Sequence, residues 1–240
     1  MNITTEDNFL NIDATHPWAN QFSILRYADS STSSIPHGFF RNWLDEDISN
    51  ANYGNFFIGR ASGCGVGSIV KYDSNQQSLR MGRFISGGLR LKFLLNGQHE
   101  SDSISMCMFS IFGNGFRNLP PPQYTDTVLK NDIWIGDEVL FLGGSTIENG
   151  CVIGARAVVP PNFKSEPYGV YVGSPARLVK FRFSEKIREL LLNLSWWDMP
   201  MDWIKDNNES FLVKLSEIQE GKAVELLQDL NNKKKLYSKP

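Results

Sequence analysis

The sequence has little cysteine, little histidine and no long apolar stretch. It contains 3 Cys and 3 His in 240 residues. A small, odd number of cysteines argues against a secreted domain held together by disulfides. The longest apolar runs, such as the one from Val139 to Leu142, are far shorter than the ~20 residues that a membrane span needs. The N-terminus, MNITTEDNFLNID, lacks the basic and apolar regions of a signal peptide, so we predict a cytoplasmic protein without a membrane span.

The charges also lack an excess of either sign. Lys and Arg number 24 and Asp and Glu 26, which gives a net charge of -2 and a pI near 6.0. Domains that bind nucleic acid usually carry a strongly basic face, so we predict no nucleic-acid partner. Two catalytic motifs are missing as well, the GxSxG of serine hydrolases and the GxxxxGK[ST] phosphate loop. The three histidines, His16, His37 and His99, are far apart, and we predict no metal site.

A six-residue repeat fills the centre of the chain. Large side chains recur at every sixth position, and a second series follows each of them after four positions. The first series is Leu129, Ile135, Phe141, Ile147, Ile153 and Val159; the second is Ile133, Val139, Ser145, Cys151, Ala157 and Phe163. Neither a helix nor a simple strand has this period, whereas a short strand followed by a tight turn does. The repeat predicts an all-β solenoid, the left-handed parallel β-helix, with three hexads in each triangular coil.

Breaks in the repeat divide the chain. We predict an N-terminal flank over residues 1–50, a β-helix domain over 51–180 and a C-terminal helical region over 181–240. Within the β-helix, residues from about 97 to 126 lose the period and predict a long excursion loop. Loops of this length in compact domains are usually functional or disordered, and the aromatic content of this one argues against disorder.

The C-terminal region carries helical spacing. Ser184 is suited to begin a helix with one apolar stripe, formed by Ile187, Leu190, Leu191 and Leu194. Phe211, Leu212, Leu215 and Ile218 predict a second helix, and Val224, Leu227 and Leu230 predict a third helix or a continuation of the second. Because a solenoid needs its ends covered to stay soluble, we expect these helices to cap an end or a side of the coil.

His99 is the strongest candidate for chemistry. It stands in Asn96-Gly97-Gln98-His99-Glu100, where the excursion leaves the coil. The ordinary pKa of histidine, about 6.5, suits it to accept a proton at neutral pH. Cys151 occupies a position of the second series, and we interpret it as a packed small residue instead of a nucleophile.

These motifs resemble the hexapeptide acyltransferases, and most nearly their xenobiotic acetyltransferase branch, which includes chloramphenicol and streptogramin acetyltransferases. The resemblance covers roughly residues 80–200. It rests on the hexads, Asn96-Gly97-Gln98-His99, Trp134-Ile135-Gly136-Asp137, Gly173-Ser174-Pro175-Ala176-Arg177 and the paired Trp in SWWDMP. It implies a homotrimer with active sites between subunits, acetyl-CoA as co-substrate and His99 as the general base.

The resemblance also suggests which residues bind the two substrates. For the acceptor, the candidates are Asn96, Glu100, Phe112 and Tyr124. For acetyl-CoA, they are Trp134, Asp137, Gly144, Ala155, Arg177 and Lys180. Asn96 could simply make the turn, Glu100 could be a solvated charge, and Trp134 could be an exposed face residue.

Three functions remain open from the sequence. The first is acetyl transfer to a hydroxyl of a sugar or of a surface-polysaccharide precursor, because the N-terminal flank differs from that of the drug acetyltransferases and the excursion is rich in aromatics. The second is O-acetylation of an antibiotic such as chloramphenicol or a streptogramin. The third, of another class, is a non-catalytic solenoid that serves as an assembly module.

Overall fold

The computed structural model describes residues 2–3, 9–12, 23–41, 54–72, 77–95, 97–118 and 124–237. The strands within these residues are short. They are β1 (Asn2–Ile3), β2 (Phe9–Ile12), β3 (Ser23–Tyr27), β4 (Thr32–Ile35), β5 (Phe40–Arg41), β6 (Asn55–Gly59), β7 (Ile69–Lys71), β8 (Ser78–Met81), β9 (Ile85–Gly87), β10 (Lys92–Leu94), β11 (Thr127–Leu129), β12 (Ile133–Ile135), β13 (Leu140–Leu142), β14 (Thr146–Ile147), β15 (Val152–Ile153), β16 (Val158–Val159), β17 (Gly169–Val172) and β18 (Arg177–Phe181).

Most of these strands form three five-stranded sheets. Sheet A has the order β18-β17-β15-β12-β9, sheet B the order β14-β11-β8-β6-β2, and sheet C the order β16-β13-β10-β7-β5. From β8 to β16, consecutive strands fall on sheets B, A and C in strict rotation and pair in parallel with the strands of the next coil. Val128 pairs with Thr146, and Ile135 pairs with Ile153. The partners in each pair are separated by three hexads, so one coil takes three hexads.

The repeat fills the interior of the coil, as predicted. Each member of the first series, from Leu129 to Val159, is at most 1% exposed. In the second series, Ile133, Val139, Ser145, Cys151 and Ala157 are equally buried, and Phe163 packs partly buried against the same core. Buried and outward-facing side chains alternate along each strand, because successive side chains of a strand point to opposite faces of its sheet.

The corners between the sheets use left-handed backbone. Phe84, Asp132 and Tyr168 have φ of 57°, 54° and 61° at the corner between sheets B and A. Glu138 has φ of 62° between sheets A and C, and Gly144 has φ of 76° between sheets C and B. Such a conformation turns the chain within very few residues, which is what a coil with so short a repeat requires.

The excursion interrupts the coil without shifting its register. Strand β10 ends at Leu94 and β11 begins at Thr127, so the excursion leaves and returns at the corner between sheets C and B. Ile85, before the excursion, still pairs directly with Ile133, after it. Upstream, β2 and β5 are hydrogen-bonded into sheets B and C, so strands of the predicted N-terminal flank take part in the same sheets.

The C-terminal helices are present, with one difference from the prediction. They are α1 (Glu185–Leu194), α2 (Met201–Asp206), α3 (Asn208–Phe211) and α4 (Glu220–Tyr237), with a 3-10 turn over Trp196–Asp198. The predicted helix from Phe211 to Ile218 is wrong, because α3 ends at Phe211 and turns follow. Phe211, Leu215 and Ile218 nevertheless pack against the apolar cluster of the helices, so their apolar spacing reflects burial without a continuous helix.

The helical region covers a side of the coil. Trp196 packs on Phe84 with ring centroids 4.6 Å apart, and Phe183 packs on Tyr168 at 5.9 Å. Both contacts lie along the corner between sheets B and A. None of the helices in the described ranges is long and apolar enough to cross a membrane.

Candidate active site

His99 lies in the excursion with one ring nitrogen engaged. Its Nδ1 is 2.6 Å from the carbonyl oxygen of Met106, and the side chain is exposed. Because a carbonyl can only accept a hydrogen bond, Nδ1 carries the proton. In the neutral ring, the lone pair is then on Nε2, the nitrogen left to accept a proton from a substrate.

Hydrogen bonds between residues close in sequence fold the segment that follows His99. The Ser103 hydroxyl donates to the Ser105 carbonyl at 2.7 Å, and the Cys107 amide donates to Ser105 Oγ at 3.1 Å. Glu100 accepts the Asp102 amide at 3.1 Å through its carboxylate. Glu100 is thus bound to backbone, and the partner of His99 Nδ1 is Met106. Asn96, the other predicted acceptor-binding residue of this segment, lies outside the described residues.

Further along the excursion, three phenylalanines form an exposed cluster. Phe112 is 61% exposed, and its ring centroid lies 6.3 Å from that of Phe109 and 5.8 Å from that of Phe116. Ser110 and Asn118 hold this loop closed, since the Ser110 amide donates to Asn118 Oδ1 and Asn118 Nδ2 donates to Ser110 Oγ. The cluster offers an exposed apolar surface within the segment that carries His99.

Tyr124 and Gly144 line the corner where the excursion returns. The Tyr124 carbonyl accepts a hydrogen bond from Gln77 Nε2 at 3.2 Å, and its ring lies beside Gly143. At Gly144, a Cβ would come within 2.4 Å of Asn162 Oδ1. Its φ of 76° and this contact together favour glycine at the corner. Of the residues proposed for acetyl-CoA, Gly144 is the one on the side of the excursion.

Trp134 lies on the opposite side, on the outer face of sheet A. It stands between the buried Ile133 and Ile135 and is 60% exposed. In register, Val152 follows Trp134 on β15, Val170 follows on β17, and Lys180 follows on β18. Trp134, Val152, Val170 and Lys180 form one row, the outer row of sheet A, that crosses about 14 Å of sheet and ends in an ammonium group.

Asp137 and Ala155 stand at the corner between sheets A and C. Asp137 Oδ1 accepts the Leu89 amide of the neighbouring coil at 2.8 Å, so its carboxylate stabilises the stacking of the turns. Ala155 is exposed, and its backbone fits against Gly136, where a Cβ would come within 2.5 Å of the Ala155 nitrogen. These small residues let two turns approach closely.

Arg177 and Lys180 on β18 are exposed cations, whereas Arg182, which follows β18, is already bound to other groups of the chain. Arg177 donates to the Ala176 carbonyl at 3.1 Å, and no carboxylate within the described ranges pairs with Arg177 or Lys180. Arg182, in contrast, donates to the Gly150 carbonyl at 2.8 Å and pairs with Asp132. Arg177 and Lys180 fit a phosphate-bearing ligand, because an unpaired cation on an edge strand can meet phosphate oxygens.

The structure thus separates the predicted site residues into two groups. His99, Glu100, Phe112, Tyr124 and Gly144 belong to the excursion and the corner where it leaves the coil; Trp134, Asp137, Ala155, Arg177 and Lys180 belong to sheet A and its edges. Within the described part of the chain, no hydrogen bond, ion pair or ring contact joins the two groups. Sequence reasoning missed the Met106 carbonyl and Ser105, since no side-chain pattern reveals which backbone carbonyl a histidine meets.

Cysteine and metal chemistry find no support at these positions. Burial raises the pKa of the Cys64 thiol to about 12, and burial likewise raises the pKa of Cys151. A thiol is a nucleophile only as thiolate, so both are inert at neutral pH. Cys107 is exposed and unpaired. Across the described ranges, no three His, Cys, Asp or Glu side chains cluster in a way that could hold a metal ion.

Named acetyltransferases resemble the chain. A chloramphenicol acetyltransferase from Morganella morganii is 42% identical over 182 residues, which cover 68% of this chain and 83% of that protein. A probable macrolide acetyltransferase from Lysinibacillus sphaericus is 38% identical over 144 residues, covering 58% of this chain and 79% of that protein. No protein-family model matches. A solved hexapeptide-repeat acetyltransferase from Vibrio cholerae, in complex with acetyl-CoA, has a TM-score of 0.42 at 18% identity and covers 62% and 67% of the two chains.

The identity to the M. morganii protein extends over most of the length of that protein, and its name agrees with the resemblance seen in the motifs. The parallel sheets agree with the fold that this resemblance implies. The chain belongs to the xenobiotic branch of the hexapeptide-repeat acetyltransferases, and it is an acyl-CoA-dependent enzyme whose co-substrate is acetyl-CoA.

Proposed function

We propose that the enzyme transfers the acetyl group of acetyl-CoA to a hydroxyl of an antibiotic, with His99 as the general base. The observation that carries the proposal is the contact of His99 Nδ1 with the Met106 carbonyl, because it leaves Nε2 to receive a proton. General bases act within hydrogen-bond reach of the proton that they remove. An exposed imidazole on a folded excursion is accessible to a bulky acceptor.

The names of the relatives favour a drug over a sugar as acceptor. They are a chloramphenicol, a probable macrolide and a virginiamycin A acetyltransferase. The exposed Phe109, Phe112 and Phe116 support an acceptor with a large apolar surface, since aromatic faces bind such surfaces well. Acetylation of a sugar hydroxyl, the first expectation from the sequence, remains the second candidate, because sugars also stack on aromatic rings.

The proposed reaction needs one proton to move twice. Nε2 of His99 takes the proton of the acceptor hydroxyl as its oxygen attacks the thioester carbonyl carbon. The carbon–sulfur bond then breaks, the acetyl group stays on the oxygen, and the proton passes from His99 to the sulfur of the leaving CoA. The products are an acetyl ester and a free thiol, and the histidine returns to its starting state.

We further propose that the active site forms between two copies of the chain in a homotrimer of left-handed β-helices. The support is the separation of His99 and the excursion from the outer row of sheet A. In this arrangement, the excursion of one subunit meets the sheet A of its neighbour. Acetyl-CoA then lies along that sheet, with its phosphates near Arg177 and Lys180. The three unpaired cysteines suit a cytoplasmic location.

The role of His99 is tested by its replacement with alanine. We expect His99→Ala to lower turnover by about two to four decades, the range for loss of a general base, while acetyl-CoA still binds. The measurement is release of free CoA thiol, with acetyl-CoA binding followed separately by calorimetry. His37→Ala is the matched control, because His37 is exposed on a turn after β4. Wild-type turnover in His99→Ala would contradict the assignment.

The acceptor is tested in the same assay with wild-type enzyme. Chloramphenicol, a streptogramin A, a macrolide, oligosaccharides and nucleotide sugars are offered in turn, and cells that express the enzyme are challenged with the three drugs. We expect thiol release and protection with at least one drug. Turnover with a sugar but with none of the drugs would overturn the drug proposal in favour of the second candidate.

A further inference from the structure

The excursion holds the Met106 carbonyl in place through a second contact on the same peptide group. This carbonyl accepts from His99 Nδ1 at 2.6 Å. The amide nitrogen of Cys107 belongs to the same peptide unit, and it donates to Ser105 Oγ at 3.1 Å. The carbonyl and the amide of this peptide are therefore held by two different side chains.

Peptide planarity couples these two contacts. In a trans peptide, the C=O and N–H groups lie in one plane and point in opposite directions, and rotation about the C–N bond is blocked. When Ser105 Oγ holds the Cys107 N–H on one side, the Met106 carbonyl is directed to the other side, where His99 lies. The Ser103 hydroxyl adds to this order by donating to the Ser105 carbonyl at 2.7 Å.

We propose that Ser105 is a positioning residue for His99, acting through the Met106–Cys107 peptide to keep the proton on Nδ1 and the lone pair on Nε2. This inference rests on the proposed role of His99 as base. A hydrogen bond to one ring nitrogen of histidine selects the tautomer, and only one tautomer presents the lone pair to the acceptor. Without Ser105 Oγ, the exposed Cys107 amide can bind water instead, so the peptide can turn while the loop stays folded.

The test compares Ser105→Ala with wild type in two independent readouts. We expect ¹⁵N NMR of the His99 ring to show the Nδ1-protonated tautomer alone in wild type and a mixture of tautomers in Ser105→Ala. We also expect kcat to fall about tenfold, a part of what a general base supplies, with the KM for acetyl-CoA unchanged. Comparison with the spectrum of His99→Ala identifies the His99 signals among those of the three histidines.

Two variants separate positioning from general disturbance of the loop. Ser105→Thr keeps the hydroxyl and should restore the single tautomer and the wild-type kcat. Ser101→Ala removes an exposed hydroxyl of the same loop that makes no hydrogen bond within the described ranges, and it should leave both readouts unchanged. A fall of kcat in Ser101→Ala equal to that in Ser105→Ala would overturn the proposal.

The readouts distinguish this inference from the proposed function. A single Nδ1-protonated tautomer in Ser105→Ala, together with an inactive His99→Ala, would overturn the positioning role and leave His99 as base. A mixture of tautomers in Ser105→Ala, together with a fully active His99→Ala, would support the positioning contact and overturn the catalytic role of His99.

Discussion

At the scale of single residues, the corners of the coil decide which side chains can be exchanged. Asp132 and Glu138 adopt left-handed backbone despite having a Cβ, so a positive φ alone does not require glycine. Gly144 has both a positive φ and a neighbour, Asn162 Oδ1, at 2.4 Å from where a Cβ would stand. The geometry of the coil is therefore sufficient to explain why glycine occupies this position, without any contact with acetyl-CoA.

These surroundings predict opposite effects for two glycine-to-alanine changes. We expect Gly144→Ala to lower the free energy of unfolding by about 1 to 3 kcal/mol, because it adds strain at a positive φ and a close contact. Gly221→Ala, in α4, meets no atom within 4 Å and should raise stability by up to about 1 kcal/mol through helix propensity. Urea denaturation of both variants checks this. Equal stability of Gly144→Ala and wild type would contradict the strain.

At the scale of elements, one buried arginine joins the helical region to the coil. Arg60 is 1% exposed; its guanidinium donates to the Trp197 carbonyl at 3.1 Å and to the Met199 carbonyl, and it pairs with Asp29 after β3. Three separate segments of the chain thus meet at one side chain. Because one side chain donates to groups in two other segments, the arginine is important to the way in which the three segments pack.

We therefore expect Arg60→Met to be strongly destabilising. It keeps much of the side-chain volume but removes the guanidinium from two carbonyls and from Asp29, which keeps its bonds from Ser31, at a cost of about 3 to 5 kcal/mol. Arg156→Met is the matched control: Arg156 also pairs with a carboxylate, but its side chain is 81% exposed, and ion pairs in solvent contribute little to stability. Similar midpoints of urea unfolding for the two variants would show that Arg60 does not join the segments.

The elements also differ in how well the sequence predicted them. Leu129, Ile135 and Phe141 lie inside the coil as predicted, because a hexad fixes both the strand and its buried position. The helix predicted from Phe211 to Ile218 is wrong. Apolar spacing indicates which side chains are buried, and turns can bury side chains as well as helices do. The Met106 carbonyl was beyond prediction, since the backbone of the excursion follows no period.

At the scale of the whole molecule, the two halves of the proposed site can be tested in mixed assemblies. His99→Ala removes the proposed base, whereas Trp134→Ala removes an exposed ring from the outer row of sheet A. If the site lies between neighbours, a Trp134→Ala subunit can supply His99 and the adjacent His99→Ala subunit can supply Trp134, so the two subunits form one intact site. If the site lies within one chain, no mixture can do so.

We expect each variant alone to be weakly active and a mixture to regain activity. When equal amounts are unfolded and refolded together, random assembly of a cyclic oligomer makes about one site in four intact. The measurement is thiol release by the mixture against each variant refolded alone, with wild type treated in the same way as control. A mixture no more active than the mean of the two variants would contradict a site shared between subunits.

At the scale of the whole molecule, the sequence predicts the coil better than it predicts the site. The coil could be predicted because each hexad repeats the same spacing of buried side chains. His99 and Trp134 could each be proposed from motifs, but the proposal that they meet in one site depends on the proposed assembly of copies, which no local pattern encodes. The same holds for the acceptor, because Phe109, Phe112 and Phe116 offer apolar surface without naming what binds it.

The unchanged register across the excursion has a consequence for how such an enzyme can change its substrate. Strands β9 and β12 pair as immediate neighbours, Ile85 with Ile133, although the whole excursion lies between them in the chain. The coil therefore places no demand on the length of the excursion, and the entropic cost of a longer loop grows only slowly with its length. Residues can be added to or removed from the excursion, the proposed acceptor side of the enzyme, while the strands keep their pairing. On this proposal, acceptor preference can change during evolution without any change in the coil.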